Sequence, residues 1–344
     1  MKTLLRRILN IYNRYRSAKW GGLWNFVHGF KNTTIEFCGI TKDNYKDFVS
    51  DVEFASMHPL NKAYSGIIDN KLYLPYLFKD YLEHIPTIYF FKDELGFLPL
   101  DKKDTKTRLT VYEFLDFIKL EQIVVLKHIT MEVGRGFMLL EYKNGHYFVN
   151  KKEYNCEELI SLLDSLNNYI IQAYVEQHSF FKSINSTSLN TLRFLLVYSK
   201  SANGFVLARC FQRFGCNGNV VDNLGSGNGI LVYVDTERGT YRDFGVENIE
   251  NKGDVFVKGI VHPNSGFIFN EKQIPLFFET KNKIIEMMNS VSFLKFVAMD
   301  VAITENGFKI IETNSYPAPD IAQYNYGFKV DPNFDYFWPN DKNI

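Results

Sequence analysis

The chain lacks an excess of charge of either sign: 39 Lys and Arg stand against 39 Asp and Glu in 344 residues. A neutral molecule carries no whole-surface footprint for nucleic acid. Cysteine is scarce as well. Cys38, Cys156, Cys210 and Cys216 form no C-x-x-C pair, and no histidine cluster completes a zinc spacing. That excludes a zinc module, and the simplest reading is reduced thiols in a cytosolic protein. No apolar run approaches the ~18 residues of a membrane span. No signal peptide is read, because arginines interrupt the apolar residues near the N-terminus. Low-complexity tracts are absent.

What is present is globular: 46% hydrophobic and 23% charged residues, in a chain long enough for two or three domains and a sizeable core. The aromatic share of 16% serves either a dense core or sugar-facing surfaces.

Residues 1–31 carry seven Lys and Arg and no acid, and Leu4, Leu5, Ile8, Ile11, Tyr12 and Tyr15 recur at helical spacing. Such a basic amphipathic helix either lies on an anionic membrane surface or packs on the body with its basic face in water. Helices are expected over 43–57 and 72–84, the second preceded by Asp69, Asn70 and Lys71. A lysine there can reach a nucleotide phosphate or simply stand in solvent. A strand is expected over 85–91, a charged linker over 101–108, and a helix over 111–120.

The apolar strand 123–128 includes Lys127. Gly134, Arg135 and Gly136 follow, then a strand from Phe137. Glycines let backbone N–H groups approach an anion, and a strand-borne lysine supplies a point charge. As a hairpin turn the same glycines need no ligand. Lys127 is the better clue, since lysine is costly at the end of a buried strand unless partnered.

A helix over 157–167 precedes strands at 169–175, 192–198 and 205–213. Arg193 lies within an apolar run and so needs an anionic partner. Arg209 and Arg213 share a face of their strand. Three arginines on neighbouring strands predict an anion clamp or a structural ion-pair network. The glycine-rich stretch 217–229 is the kind of long loop that covers a site. The sheet resumes at 230–234. His262 lies in a loop, as a substrate contact or an incidental residue, and a helix is expected over 275–290.

Two apolar, β-branched runs, 296–304 and 308–314, flank Asn306 and Gly307 and predict a β-hairpin. Glu312 and Asn314, two apart, face one way, and the hairpin folds Asp300 towards them. Converging carboxylates and an amide oxygen are hard ligands suited to Mg²⁺. The alternative is an ordinary hairpin with a polar solvent face.

Together these segments resemble the ATP-grasp superfamily, from about Asn70 to Pro319. The closest likeness is to the sugar-transfer-associated ATP-grasp proteins of bacterial surface-polysaccharide loci. It is carried by Val175 to His178, Leu189 to Arg193, Val221 to Asn223, His262-Pro263 and Met299 to Thr304. The resemblance implies a mixed α/β (α+β) ATP-grasp fold: an N-terminal region 1–110, a small lid 111–175 and a larger C-terminal subdomain 176–344. ATP would lie between the last two. Lys71 and Lys127 would contact phosphates, and Gly134, Arg135 and Gly136 would close over them. Gln172, Ala173, Tyr174 and Val175 would line the adenine, with Glu176 a candidate for the ribose. Arg193 and Arg213 would be catalytic, binding the transferring phosphoryl group or an acyl phosphate. Asp300, Glu312 and Asn314 would hold Mg²⁺. Two positions depart from the family pattern: Gln172 stands where the hinge usually opens with glutamate, and Ala298 stands where D-alanine–D-alanine ligases carry an arginine.

The implied activity is an ATP- and Mg²⁺-dependent carboxylate–amine ligase acting on a small-molecule or glycan acceptor, in the cytoplasm or at the inner face of the membrane. Two other readings remain open. One is phosphoryl transfer to a sugar hydroxyl, with Asp222 or His262 as base. The other is a non-catalytic nucleotide-binding partner of a glycosyltransferase complex, docked through the basic N-terminal helix.

Overall fold

The computed structural model describes residues 23–100, 107–131, 134–222, 229–249, 253–258, 260–324 and 326–339. The basic segment 1–22, most of the expected linker and the middle of the glycine-rich loop lie outside the described residues. Two seven-stranded sheets organise the rest, and every pairing in them is antiparallel. The mixed helix-and-sheet class expected from the sequence is the one observed.

The first sheet holds β1 (Ile88–Asp93), β2 (Gly96–Pro99), β3 (Ile123–His128), β4 (Phe137–Lys143), β5 (His146–Val149), β6 (Lys152–Tyr154) and β7 (Tyr169–Ala173). Their order is β2-β1-β7-β3-β4-β5-β6. Helices Val111–Glu121 and Cys156–Ser165 cover one face. Each opens with a capping box, Thr110 with Glu113 and Asn155 with Glu158, which satisfies backbone donors that a helix start leaves unpaired. Phe114, Leu115 and Ile118 from one helix and Leu159 and Leu163 from the other join Phe90, Val124 and Ile171 in a single core.

The second sheet holds β8 (Leu192–Ser199), β9 (Gly204–Phe214), β10 (Ile230–Asp235), β11 (Thr240–Ile249), β12 (Gly253–Lys258), β13 (Phe296–Thr304) and β14 (Gly307–Asn314). Their order is β12-β11-β10-β9-β8-β13-β14. Val297, Met299, Val301 and Ile303 pack on the side of helix Phe277–Ser290. Phe296 and Ala298 pack on the other side, against Phe54, Phe328 and Phe334. β13 is therefore buried on both faces, which is why its sequence is a continuous apolar run rather than an alternating one. No helix among the described residues is long and apolar enough to cross a membrane.

Two expected helices are broken. Over 43–57 the chain forms a 3₁₀ turn, Tyr45–Asp47, and then helix Asp51–Met57. Ser50 caps the latter by accepting from the Glu53 amide, a bond that requires a non-helical Ser50. Over 72–84 there are only short turns. Pro75 opens Leu74–Leu77 and cannot donate to a turn before it, and Tyr81 is non-helical. The strand expected over 85–91 begins at Ile88. The sequence reading missed β2, β5, β6, β11 and β12, which are short or strongly polar.

Candidate functional site

A cleft opens between the two sheets, with about 900 Å³ of empty space that includes the open solvent at its mouth. Lys127, Gly134, Phe137 and Gln172 line it from the first sheet's side, and Arg213, Asp300, Ile311 and Glu312 from the second.

The register across the second sheet sets the charged row. Asp300 pairs with Glu312 on one side and with Arg193 on the other. Pairing then skips Ile311, so that Val301 stands opposite Ile310. That bulge puts Glu312 and Ile310 on opposite faces, with Ile310 in the core and Glu312 in the cleft. The sequence pattern carried no sign of it.

Asp300 is 2% exposed, and a buried carboxylate needs partners. Arg193 donates Nε to Oδ1 at 2.6 Å and Nη2 to Oδ2 at 2.7 Å, and Arg213 donates Nη2 to Oδ2 at 2.6 Å. Burial alone would raise this carboxyl, but the two guanidinium groups hold it well below the ordinary range. Arg213 also bonds Thr191 Oγ1 at 2.7 and 3.2 Å. Thr191 in turn donates its amide and hydroxyl to Asp222 Oδ2. Asp222 lines the cleft 3.7 Å from Arg213, and burial raises its carboxyl.

Lys127 is 8% exposed and has no hydrogen-bonding or ion-pair partner among the described residues. Burial pushes its ammonium down to about 8, against the attraction of Glu312. Lys71 joins from the N-terminal region. Its amide bonds Ile129 O, its Nζ donates to Met131 O at 2.9 Å, and Nζ lies 3.5 Å from Glu312 Oε2. Asp69 anchors that segment by accepting the amide and hydroxyl of Ser315, just past β14.

Gly134 and Gly136 both have φ near +71°. A Cβ on Gly136 would meet Tyr169 Oη, His128 Cβ and Met131 Sδ at 3.0–3.1 Å, so the tight passage needs glycine. Arg135 sits between them. Gln172, Tyr174 and Val175 line the cleft, while the Ala173 amide bonds Thr87 O outside it.

Several expected members stand elsewhere. Glu176 is exposed and paired with Lys182. Arg209 shares a face with Arg213 but lies four residues, roughly 13 Å, along the strand. It pairs there with Asp331 and the Ala322 carbonyl, so the three-arginine clamp reduces to two. His262 is fully buried on Gly215 O and the Ser265 amide, away from the cleft. Asn314, by contrast, stays on β14 two residues beyond Glu312, with its Oδ1 accepting from the Tyr316 amide. Thr191, which joins Arg213 to Asp222, had no expected role beyond its place in the Leu189 to Arg193 likeness.

The donor chemistry fits a polyanion with a divalent cation. Lys127 brings a buried positive charge to the cleft without an acceptor among the described residues. Glu312 and Asp300 are hard oxygen donors held at one register position. Among the described residues no three His, Cys, Asp or Glu side chains gather at one point, so any cation would rest on this pair with an amide oxygen or ligand oxygens.

A family model described as sugar-transfer associated ATP-grasp matches residues 58–333. No curated protein matches the chain. Solved structures give distant likenesses. D-alanine–D-alanine ligase from Bacillus anthracis is 11% identical with a TM-score of 0.38, over 80% of this chain and 67% of that one. Phosphoribosylamine–glycine ligase from Thermotoga maritima is 14% identical with a TM-score of 0.41, over 76% and 51%. The biotin carboxylase domain of Hydrogenobacter thermophilus 2-oxoglutarate carboxylase, in complex with MgADP, ADP and bicarbonate, is 13% identical with a TM-score of 0.38, over 76% and 45%. The chain thus spans about half to two thirds of the length of these structures.

Proposed function

The chain belongs to the sugar-transfer associated ATP-grasp family, and from that premise we propose that it is an ATP- and Mg²⁺-dependent carboxylate–amine ligase. Its substrates on this reading are an amino acid or similar group and a uronic acid or amino sugar of a bacterial surface polysaccharide. The observation that carries the reading is the meeting of Lys127 from the first sheet with Asp300 and Glu312 from the second in one cleft. Residues 111–175 would act as the lid and 176–344 as the larger nucleotide-binding subdomain.

ATP supplies the phosphoryl group, and Mg²⁺ neutralises charge on its oxygens. Asp300, Glu312 and Asn314 would hold the metal. Lys127 and Lys71 offset phosphate charge, and the amides around Gly134 and Gly136 cradle the phosphates. Gln172, Tyr174 and Val175 line the base. The substrate carboxylate bonds the γ-phosphorus as the bond to the bridging oxygen breaks, and ADP leaves with that electron pair. The amine then bonds the acyl carbon, the carbon–oxygen bond to phosphate breaks, and the ammonium proton is released. Arg213 and Arg193 stabilise the acyl phosphate and the oxyanion that follows it. Closure of the lid excludes water that would hydrolyse the intermediate.

Asp222 supports a second reading, in which a buried carboxylate on the cleft serves as base for phosphoryl transfer to a sugar hydroxyl. Product analysis separates the two. Acceptor-dependent ADP with free phosphate supports ligation. ADP with a phosphorylated acceptor and no free phosphate supports the kinase. Absence of turnover with every carboxylate, amine and sugar offered, despite tight ATP binding, supports a non-catalytic role.

A further inference from the structure

Asp300 is committed to protein partners. Its two oxygens receive three hydrogen bonds, two from Arg193 and one from Arg213, out of roughly four that a carboxylate accepts. Glu312, its register partner, keeps a side chain 28% exposed at the cleft. The two arginines differ in what they retain on letting go. Arg213 keeps Thr191 Oγ1 and the neighbouring Asp222. The Arg193 guanidinium has Asp300 as its sole partner among the described residues.

A buried ion pair opened from one side leaves an uncompensated charge. A divalent cation arriving alone would strip Asp300 from two guanidinium groups and leave them bare. An oxyanion arriving alone would take the guanidinium groups and leave Asp300 bare. Arriving together, each compensates the charge that the other uncovers. We propose that Asp300 exchanges partners: a phosphate-class oxyanion takes Arg193 and Arg213, and the released carboxylate joins Glu312 on the divalent cation. The proposal rests on the nucleotide reading of the cleft. It makes cation and oxyanion binding mutually enhancing, and by linkage each tightens the other by the same factor.

The test uses Mn²⁺ as the cation, followed by electron paramagnetic resonance, and sulfate as an oxyanion that binds Mn²⁺ only weakly in solution. Saturating sulfate should tighten Mn²⁺ binding about tenfold or more. In Arg193→Met, Mn²⁺ should bind more tightly without sulfate than it does to the wild type, and sulfate should add much less. Arg193→Lys, which cannot fork onto both oxygens, should fall between the two. Thermal melts establish that each variant is folded. Mn²⁺ that binds equally, or not at all, with and without sulfate overturns the exchange. ADP titrated in parallel separates the two ideas: absence of ADP binding overturns the nucleotide reading itself, while ADP binding with sulfate-indifferent Mn²⁺ overturns the exchange alone.

Discussion

Lys127 on β3 and Glu312 on β14 belong to different sheets and line one cleft, and Glu312 is the strongest charge acting to raise the Lys127 ammonium. The pair ties the two halves of the molecule electrostatically at the point where a ligand would enter. Each member therefore has a distinct expected phenotype.

Glu312→Gln should abolish Mg-ATP turnover while leaving the fold near intact. The side chain is partly exposed and lies outside the apolar cores, so its loss costs little packing. Coupled measurement of ADP release and a thermal melt checks both halves. Wild-type turnover in this variant would contradict the metal assignment.

Lys127→Ala should weaken ADP binding by about 10- to 100-fold, the worth of a charge-assisted hydrogen bond. Isothermal titration reads it directly. An unchanged affinity would remove Lys127 from the phosphate cradle.

The same lysine predicts a pH dependence. Its ammonium is lowered from 10.5 to about 8 in the folded chain. Between those values the unfolded chain binds more protons than the folded one, so stability rises with pH across that window. Below pH 8 the buried charge costs its full amount, on the order of 3 kcal/mol. Urea unfolding of wild type and Lys127→Met from pH 7 to 10.5 should show the wild type gaining on the variant. Parallel curves would refute a buried, charged lysine. ADP affinity of the wild type should fall as pH rises beyond 8.

Thr191→Val should destabilise the fold by about 1–3 kcal/mol, because Asp222 and Arg213 both lose a buried hydrogen-bond partner. Thr191→Ser keeps the hydroxyl and should restore most of the loss in urea unfolding. Unchanged stability in Thr191→Val would show that the hydroxyl bonds add nothing net to the fold.

Gly136→Ala should destabilise by about 1 kcal/mol or more, since a positive φ disfavours any side chain and the methyl meets Tyr169 Oη. Tyr169→Phe in the same chain removes that oxygen and should recover part of the cost. No recovery would leave backbone strain and the His128 and Met131 contacts as the whole effect.

Local signals made much of the architecture legible. The apolar runs that became β3, β8, β9 and β13 carried their own boundaries, because burial on both faces demands unbroken apolar sequence. The Asn306-Gly307 signal announced the hairpin of β13 and β14, although the turn itself falls at Glu305 and Asn306 and Gly307 opens β14 opposite Thr304. Short strands such as β5 and β6 and polar ones such as β11 left no such trace. They are held by partners distant in sequence rather than by their own composition. The break before helix Asp51–Met57 was missed because a cap at Ser50 depends on one side-chain bond, which competes with an otherwise continuous periodic pattern.

The sequence by itself determined that a lysine ends an apolar strand, that arginines sit inside apolar strands, and that a carboxylate-bearing hairpin closes the domain. It could not determine which of these charges meet. The tertiary structure gave Asp300 to Arg193 and Arg213, Arg209 to Asp331, and Glu176 to Lys182. It also set the bulge at Ile311 that turns Glu312 into the cleft. Strand type follows from local periodicity, whereas partner choice follows from register between strands a hundred residues apart, and a shift of one residue in that register moves a side chain to the opposite face.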